Sequence, residues 1–170
     1  MLSKNYLTVI IVTMLAFIFL SLHVRADMFG FLKKQDYVLS APIKGVLLSD
    51  GKPQAGLEVV RSLTYGKEYI DKSVTDSDGR FSFPEKVIRT AKPNNMFDNT
   101  SVHQHVYIDN GTAEGIVVWY AIISLFPNSK TLVKLLGNLI CDIAKEPQTY
   151  DIPIAEDKSH TFTIYTTCQL

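Results

Sequence analysis

The strongest constraint on this chain is a series of short apolar alternations broken by glycine and aspartate turns. "PIKGVLLSDGKP" (42–53) is an apolar run ending at Ser49-Asp50-Gly51, with glycine where the backbone needs a positive φ. "AGLEVVRSL" (55–63) puts Leu57, Val59 and Leu63 on one face of a strand and Glu58 and Ser62 on the other. "YIDKSV" (69–74) is a third such run, and "TDSDGRFSFP" (75–84) leads from a turn into a strand with Phe81 and Phe83 on one face. A period of two would scatter these apolar residues around a helix, whereas in strands it gives each one a dry side. Strands this short, separated by turns of this kind, predict a mostly β fold, a Greek-key β-sandwich.

Further along, the pattern loosens and then returns. Glu85 to Ser101 is irregular, and "AKPNNMFDNTS" (91–101) reads as a long polar loop. In "VHQHVYIDNGT" (102–112), Gln104, Val106 and Ile108 point one way and His103, His105 and Tyr107 the other, before the hairpin signal Asn110-Gly111. "GIVVWYAIISLF" (115–126) is apolar on both faces, as expected of a central strand covered on both sides. "NSKTLVKLLGNLI" (128–140) changes period: Leu132, Leu135, Leu136, Leu139 and Ile140 fall at helical spacing after an Asn128/Ser129 cap. One short helix is expected near 129–137, followed by strands in "TYDIPI" and "HTFTIYTTCQL".

Residues 1–26 do not fit this domain. Lys4 precedes the uncharged run "YLTVIIVTMLAFIFLSL", and Val24-Arg25-Ala26 is an ending that a signal peptidase accepts. We read 1–26 as a cleaved export signal, the alternative being an uncleaved inner-membrane anchor, and expect a periplasmic or secreted protein. Asp27 to Ser40 reads as a leader without a clear period, and the domain as 41–170. The full chain has 17 basic and 17 acidic residues, so losing Lys4 and Arg25 leaves a formal charge of −2. No lysine run or basic patch follows, so nucleic acid is not an expected partner. Two thiols in an oxidising compartment usually pair, and no CxxC or Cys/His spacing marks a metal site, so a Cys141–Cys168 disulfide is expected.

The segment from about 41 to 84 resembles the carboxypeptidase regulatory-like and transthyretin-like domains. Gly45, Gly51-Lys52-Pro53, Gly56 to Val59 and Thr75 to Phe83 stand where those families carry their shared pattern. The resemblance implies a Greek-key sandwich, often a binding or structural module, and no catalytic residues. The later half, with the Asn-rich loop, the strand around Trp119 and the cysteines, departs from that pattern. The whole is similar to small exported bacterial proteins, some of which act as immunity proteins against type VI toxins.

The candidate sites are few. Asp76 and Asp78 suggest a calcium loop, but an EF-hand count from Asp76 puts Val87 where the bidentate glutamate belongs, so a tight turn at Gly79 is expected. His103-x-His105 is a spacing zinc can use, with Asp109 or His160 as the nearest thought for a third ligand; an exposed polar strand face is the expectation instead. No nucleophile elbow, phosphate loop or HExxH is present. We therefore expect no cofactor and no metal, and a non-enzymatic protein that binds another protein, such as a secreted toxin, through Asn95, Phe97, His103, His105, Tyr107 and Asn110. The alternatives are a small-ligand or metal carrier and a structural envelope protein.

Overall fold

The computed structural model describes residues 11–14, 34–91, 101–112, 115–123 and 129–170. It divides into two compact units, Met1–Gln35 with Arg89–Asp98, and Asp36–Ile88 with Asn99–Leu170. Of the first unit, residues 11–14 are helical, with Ile11, Val12 and Met14 exposed. The rest of the expected export signal lies outside the described residues, among which no helix is long and apolar enough to cross a membrane.

The second unit is a β-sandwich. Its strands are β1 (Gln35–Ser40), β2 (Ile43–Ser49), β3 (Lys52–Pro53), β4 (Glu58–Tyr65), β5 (Lys67–Val74), β6 (Arg80–Phe83) and β7 (Lys86–Thr90) in the first half. The second half adds β8 (Val102–Ile108), β9 (Ile116–Ile123), helix α1 (Lys130–Leu136), β10 (Leu139–Asp142), β11 (Gln148–Ile154), β12 (Asp157–Thr166) and β13 (Cys168–Gln169). One sheet has the order β11-β12-β9-β8-β4-β5, a second runs β13-β10-β2-β3 with β6 also paired to β2, and β1 and β7 form a two-stranded pair of their own. Every neighbour in the first sheet is antiparallel. In the second, β10 lies parallel to β2.

The turns form for the reasons the residues suggest. Asp50 (φ 51°) and Gly51 (φ 75°) both take left-handed backbone, the requirement of a type I′ hairpin, and join Ser49 to its partner Lys52. The carboxylate of Asp142 caps this turn, accepting from Asp50 N at 3.0 Å and Gly51 N at 3.1 Å. Asp76 Oδ1 accepts from Asp78 N at 2.9 Å and Arg80 N at 2.8 Å, and Gly79 sits at φ 74°. The Asp-Ser-Asp-Gly stretch is therefore a turn whose first carboxylate is spent on the backbone.

Four readings of the sequence need amendment. The expected leader includes β1, which pairs with β7 and buries Leu39 and Ser40. The expected irregular stretch after Glu85 contains β7, while its Asn-rich part, including Asn95 and Phe97, lies outside the described residues. Helix α1 runs as expected from the Ser129 cap, whose side chain accepts from Leu132 N at 3.2 Å, to Gly137, but two residues of the helical spacing, Leu139 and Ile140, lie beyond it. Leu139 and Ile140 continue as strand β10, because β2 offers them an edge to pair with. Last, Cys168 does not share a sheet with Phe162, Ile164 and Thr166: the chain bends at Thr167 and crosses to β10. There Cys141 and Cys168 stand opposite each other, and their sulfurs are bonded at 2.01 Å.

The core lies between the sheets, with Leu47, Phe81 and Phe83 from one side and Val59, Leu63, Val106, Trp119 and Ile164 from the other. Among the polar side chains buried with it, Gln104 and Arg61 are both hydrogen-bonded. Trp119 Nε1 donates to Gln104 Oε1 at 3.1 Å, Gln104 Nε2 donates to Ser40 Oγ at 2.7 Å, and Ser40 Oγ donates to the Ala41 carbonyl at 2.8 Å. This relay ties β1 to the middle of the six-stranded sheet. Arg61, with no exposed surface, donates from Nε and Nη2 to Asp71 at 3.2 and 2.7 Å and from Nη1 to the Pro84 carbonyl at 2.8 Å. Its guanidinium lies 4.9 Å from the centre of the Phe83 ring. Burial alone would raise the Asp71 pKa, but hydrogen bonds from Lys86 and Arg61 outweigh it and hold the carboxyl below its ordinary value.

Asp71→Ala, which strands the buried guanidinium, is expected to cost about 3 kcal/mol in urea unfolding, and Arg61→Met, which keeps the volume without the charge, markedly less. The reverse order would show that the pair does not govern the site. Replacing both cysteines by serine is expected to lower stability by about 3–4 kcal/mol in the same assay, the entropic value for a loop of this span.

Candidate protein-binding face

The six-stranded sheet has an inner face in the core and an outer face that carries the remaining candidate residues. In β8 the strand period turns His103, His105 and Tyr107 outward while Val102, Gln104, Val106 and Ile108 are buried. The registers then set one outward row across all six strands: Thr149, Tyr165, Tyr120, His105, Ser62 and Ile70, each opposite the next. His105 packs 4.7 Å from Tyr107 and 5.8 Å, edge to face, from Tyr120, measured between ring centres. Tyr165 is 40% exposed, Ile122 47%, Ile70 52% and Val74 62%. Strand β9 is thus central, as its apolar sequence implied, but it is not covered on both sides; Ile122 stands in the open.

The electrostatics of this face centre on His105. Its Nε2 is shut off from solvent and has no hydrogen-bond partner. That is an uncommon condition for a buried polar atom. Burial lowers the His105 pKa from its ordinary 6.5, so the ring is held neutral. Opposite it, Ser62 Oγ donates to Glu68 Oε1 at 2.6 Å. Serine, histidine and glutamate therefore meet here, but the hydroxyl donates to the carboxylate and the imidazole nitrogen stands apart. This is not the hydrogen-bond order of a nucleophilic relay, in which the imidazole sits between the other two. Around the row, Lys72 and Glu58 form an exposed pair at 2.7 Å, a polar margin to an aromatic centre.

Of the residues expected to bind, His103, His105 and Tyr107 share this face, and Asn110 sits at the exposed end of the β8–β9 hairpin. The loop there is longer than a two-residue turn, running from Asp109 to Gly115. His160, considered as a third metal ligand, is engaged by Asp157 at 2.9 Å and Ser159 at 3.0 Å. Among the described residues no group of three histidine, cysteine or acidic side chains comes together. Sequence reading missed Tyr120, Tyr165, Ile70 and Ile122, since only the strand order brings β5, β9 and β12 beside β8. The available signal was the apolar excess of β9, too rich for one buried face.

A cleft of about 440 Å³ lies where β5 meets β2, β6 and the turn after α1, lined by Lys44, Val46, Val74, Arg80, Asn138 and Leu139 among others. Arg80 pairs there with Asp78, while Lys44 makes no ion pair among the described residues. Gly45 is needed beneath it, because a Cβ would fall 2.7 Å from the Phe81 ring.

Because the folded protein resists the proton that unfolded His105 accepts, its contribution is complete above pH 6.5 and is lost as the pH falls from there toward the lower folded value. His105→Gln is expected to flatten thermal stability between pH 6.5 and 5 relative to the unaltered chain, as read from melting midpoints. An unchanged slope would mean that the ring is as accessible to protons folded as unfolded.

No curated protein and no solved structure matches the chain. A family profile described as "Domain of unknown function (DUF6795)" matches residues 43–146, from the start of β2 to just past β10, and so leaves β11, β12 and β13 outside it. With more than half of its length in that match, the chain belongs to the DUF6795 family.

Proposed function

We propose that this chain is an exported, non-enzymatic protein-binding domain that docks a partner on the outer face of its six-stranded sheet. The observation that carries the reading is the aromatic row through Tyr165, Tyr120 and His105, flanked by exposed Ile70 and Ile122. A protein that only needed to be soluble would not place these side chains in register on one open surface. Tyrosines supply large, stiff contact area, and the exposed Glu58–Lys72 pair gives the polar margin usual at such sites.

The concrete form is an immunity protein that covers the active site of a secreted toxin, a task that needs shape and aromatic anchors and no chemistry from this chain. The disulfide suits an oxidising compartment. The test uses the protein encoded by the adjacent reading frame as the toxin. Binding and protection of toxin-expressing cells are expected, with Tyr120→Ala and Tyr165→Ala each weakening affinity about thirtyfold at unchanged melting temperature. A neighbour that neither binds nor is neutralised, or variants that bind as before, would sink the reading.

A small-ligand carrier is the second reading, favoured by the cleft at Lys44 and Arg80. It is the one to keep if the tyrosine variants are silent and Lys44→Ala abolishes retention of a small molecule that co-purifies with the protein.

A further inference from the structure

The loop after β8 arranges its hydrogen bonds around one dipeptide, Asn110-Gly111. Asp109, Asn110, Gly111 and Thr112 are all exposed. Gly111 has φ 78° and nothing within 4 Å of where a Cβ would stand, so its backbone nitrogen is unhindered on that side. The N–H of that nitrogen donates to Asp109 Oδ1 at 3.0 Å. On the neighbouring amide, Asn110 Oδ1 accepts from Thr112 Oγ1 at 2.6 Å and from Thr112 N at 3.1 Å. Gly115 N in turn donates to Thr112 Oγ1 at 3.2 Å, which leaves the hydroxyl proton directed at Asn110.

These contacts are the parts of an acyl transfer. A carboxylate sits within reach of the proton on a nitrogen nucleophile, and two donors sit on the carbonyl oxygen where negative charge would develop. We propose that Asn110 is a self-modifying site that this loop deamidates without another protein. Gly111 N attacks Asn110 Cγ as Asp109 takes its proton, and the oxyanion on Oδ1 is held by Thr112. Collapse breaks the Cγ–Nδ2 bond, the proton returns to the departing nitrogen, and ammonia leaves a five-membered succinimide. Water then opens the ring at either carbonyl, giving aspartate or isoaspartate. Nothing is oxidised or reduced, and water is the sole co-reactant.

The product places a new negative charge beside Asp109, whose field already reaches Lys72 on the outer face. Opening to isoaspartate also lengthens the backbone at the hairpin tip. The modification would thus change the margin of the aromatic surface with the age of the molecule.

The test compares the oxidised full chain with a synthetic peptide of residues 106–116 in neutral buffer. Conversion is followed by peptide mass mapping, through the mass gain of exchanging an amide for a carboxylate. Asn110 is expected to convert at least about tenfold faster in the folded chain than in the peptide, because the groups are held in place. Asp109→Ala and Thr112→Val are each expected to slow the folded chain about tenfold and leave the peptide largely as it was. Melting midpoints confirm that both variants fold, and Asn138, followed by Leu139, serves as the internal control. Conversion no faster in the folded chain than in the peptide, or variants that keep the full rate, would overturn the proposal.

Discussion

The buried guanidinium of Arg61 is the constraint around which the sandwich closes. A charge without exposed surface is tolerated only where its donors are met, and here the acceptors come from separate parts of the chain. Asp71 arrives on β5 and the Pro84 carbonyl at the end of β6, while Phe83 offers the face of its ring. Since β5 belongs to one sheet and β6 to the other, satisfying Arg61 fixes how the sheets meet at that edge. Lys86, the first residue of β7, binds the second oxygen of Asp71 and extends the same network to the strand that pairs with β1. The Gln104 relay does the corresponding work deeper in, where Trp119 and Ser40 leave no polar atom of that amide idle for want of a partner.

The outer face follows from the same strand order. Once Gln104, Val106 and Trp119 are turned into the core, the period of two leaves His105, Tyr107 and Tyr120 on the other side. That side also carries Tyr165, Ile122 and Ile70, each 40% exposed or more. An imidazole nitrogen without a partner among these rings is a cost the fold bears in the free protein.

Much of this was legible residue by residue. The alternation from Ile43 to Phe83, the type I′ turn at Asp50-Gly51, the Asp76 turn and the Ser129 cap are local rules, set by neighbours a few positions apart. The inward and outward sets of β8 were legible for the same reason. Arg61 was not: it has the parity of Val59 and Leu63, but a guanidinium has no place in a core until Asp71 is seen opposite it, ten residues away. Strand β1 was missed because its reason to be extended is β7, far off in the chain, and the end of "KLLGNLI" because β2 draws Leu139 and Ile140 out of the helical period.

The sequence by itself determined most of the strands and turns, the short helix and the pairing of the two cysteines, since each depends on a local period, a cap or the presence of just two thiols. Tertiary structure alone decided which strands are neighbours. That choice turned two isolated outward tyrosines and a histidine into one row, and brought a charged side chain into the core with its partners. The physical reason is that burial and hydrogen-bond satisfaction are summed over the whole sandwich, and no window of the chain contains that sum.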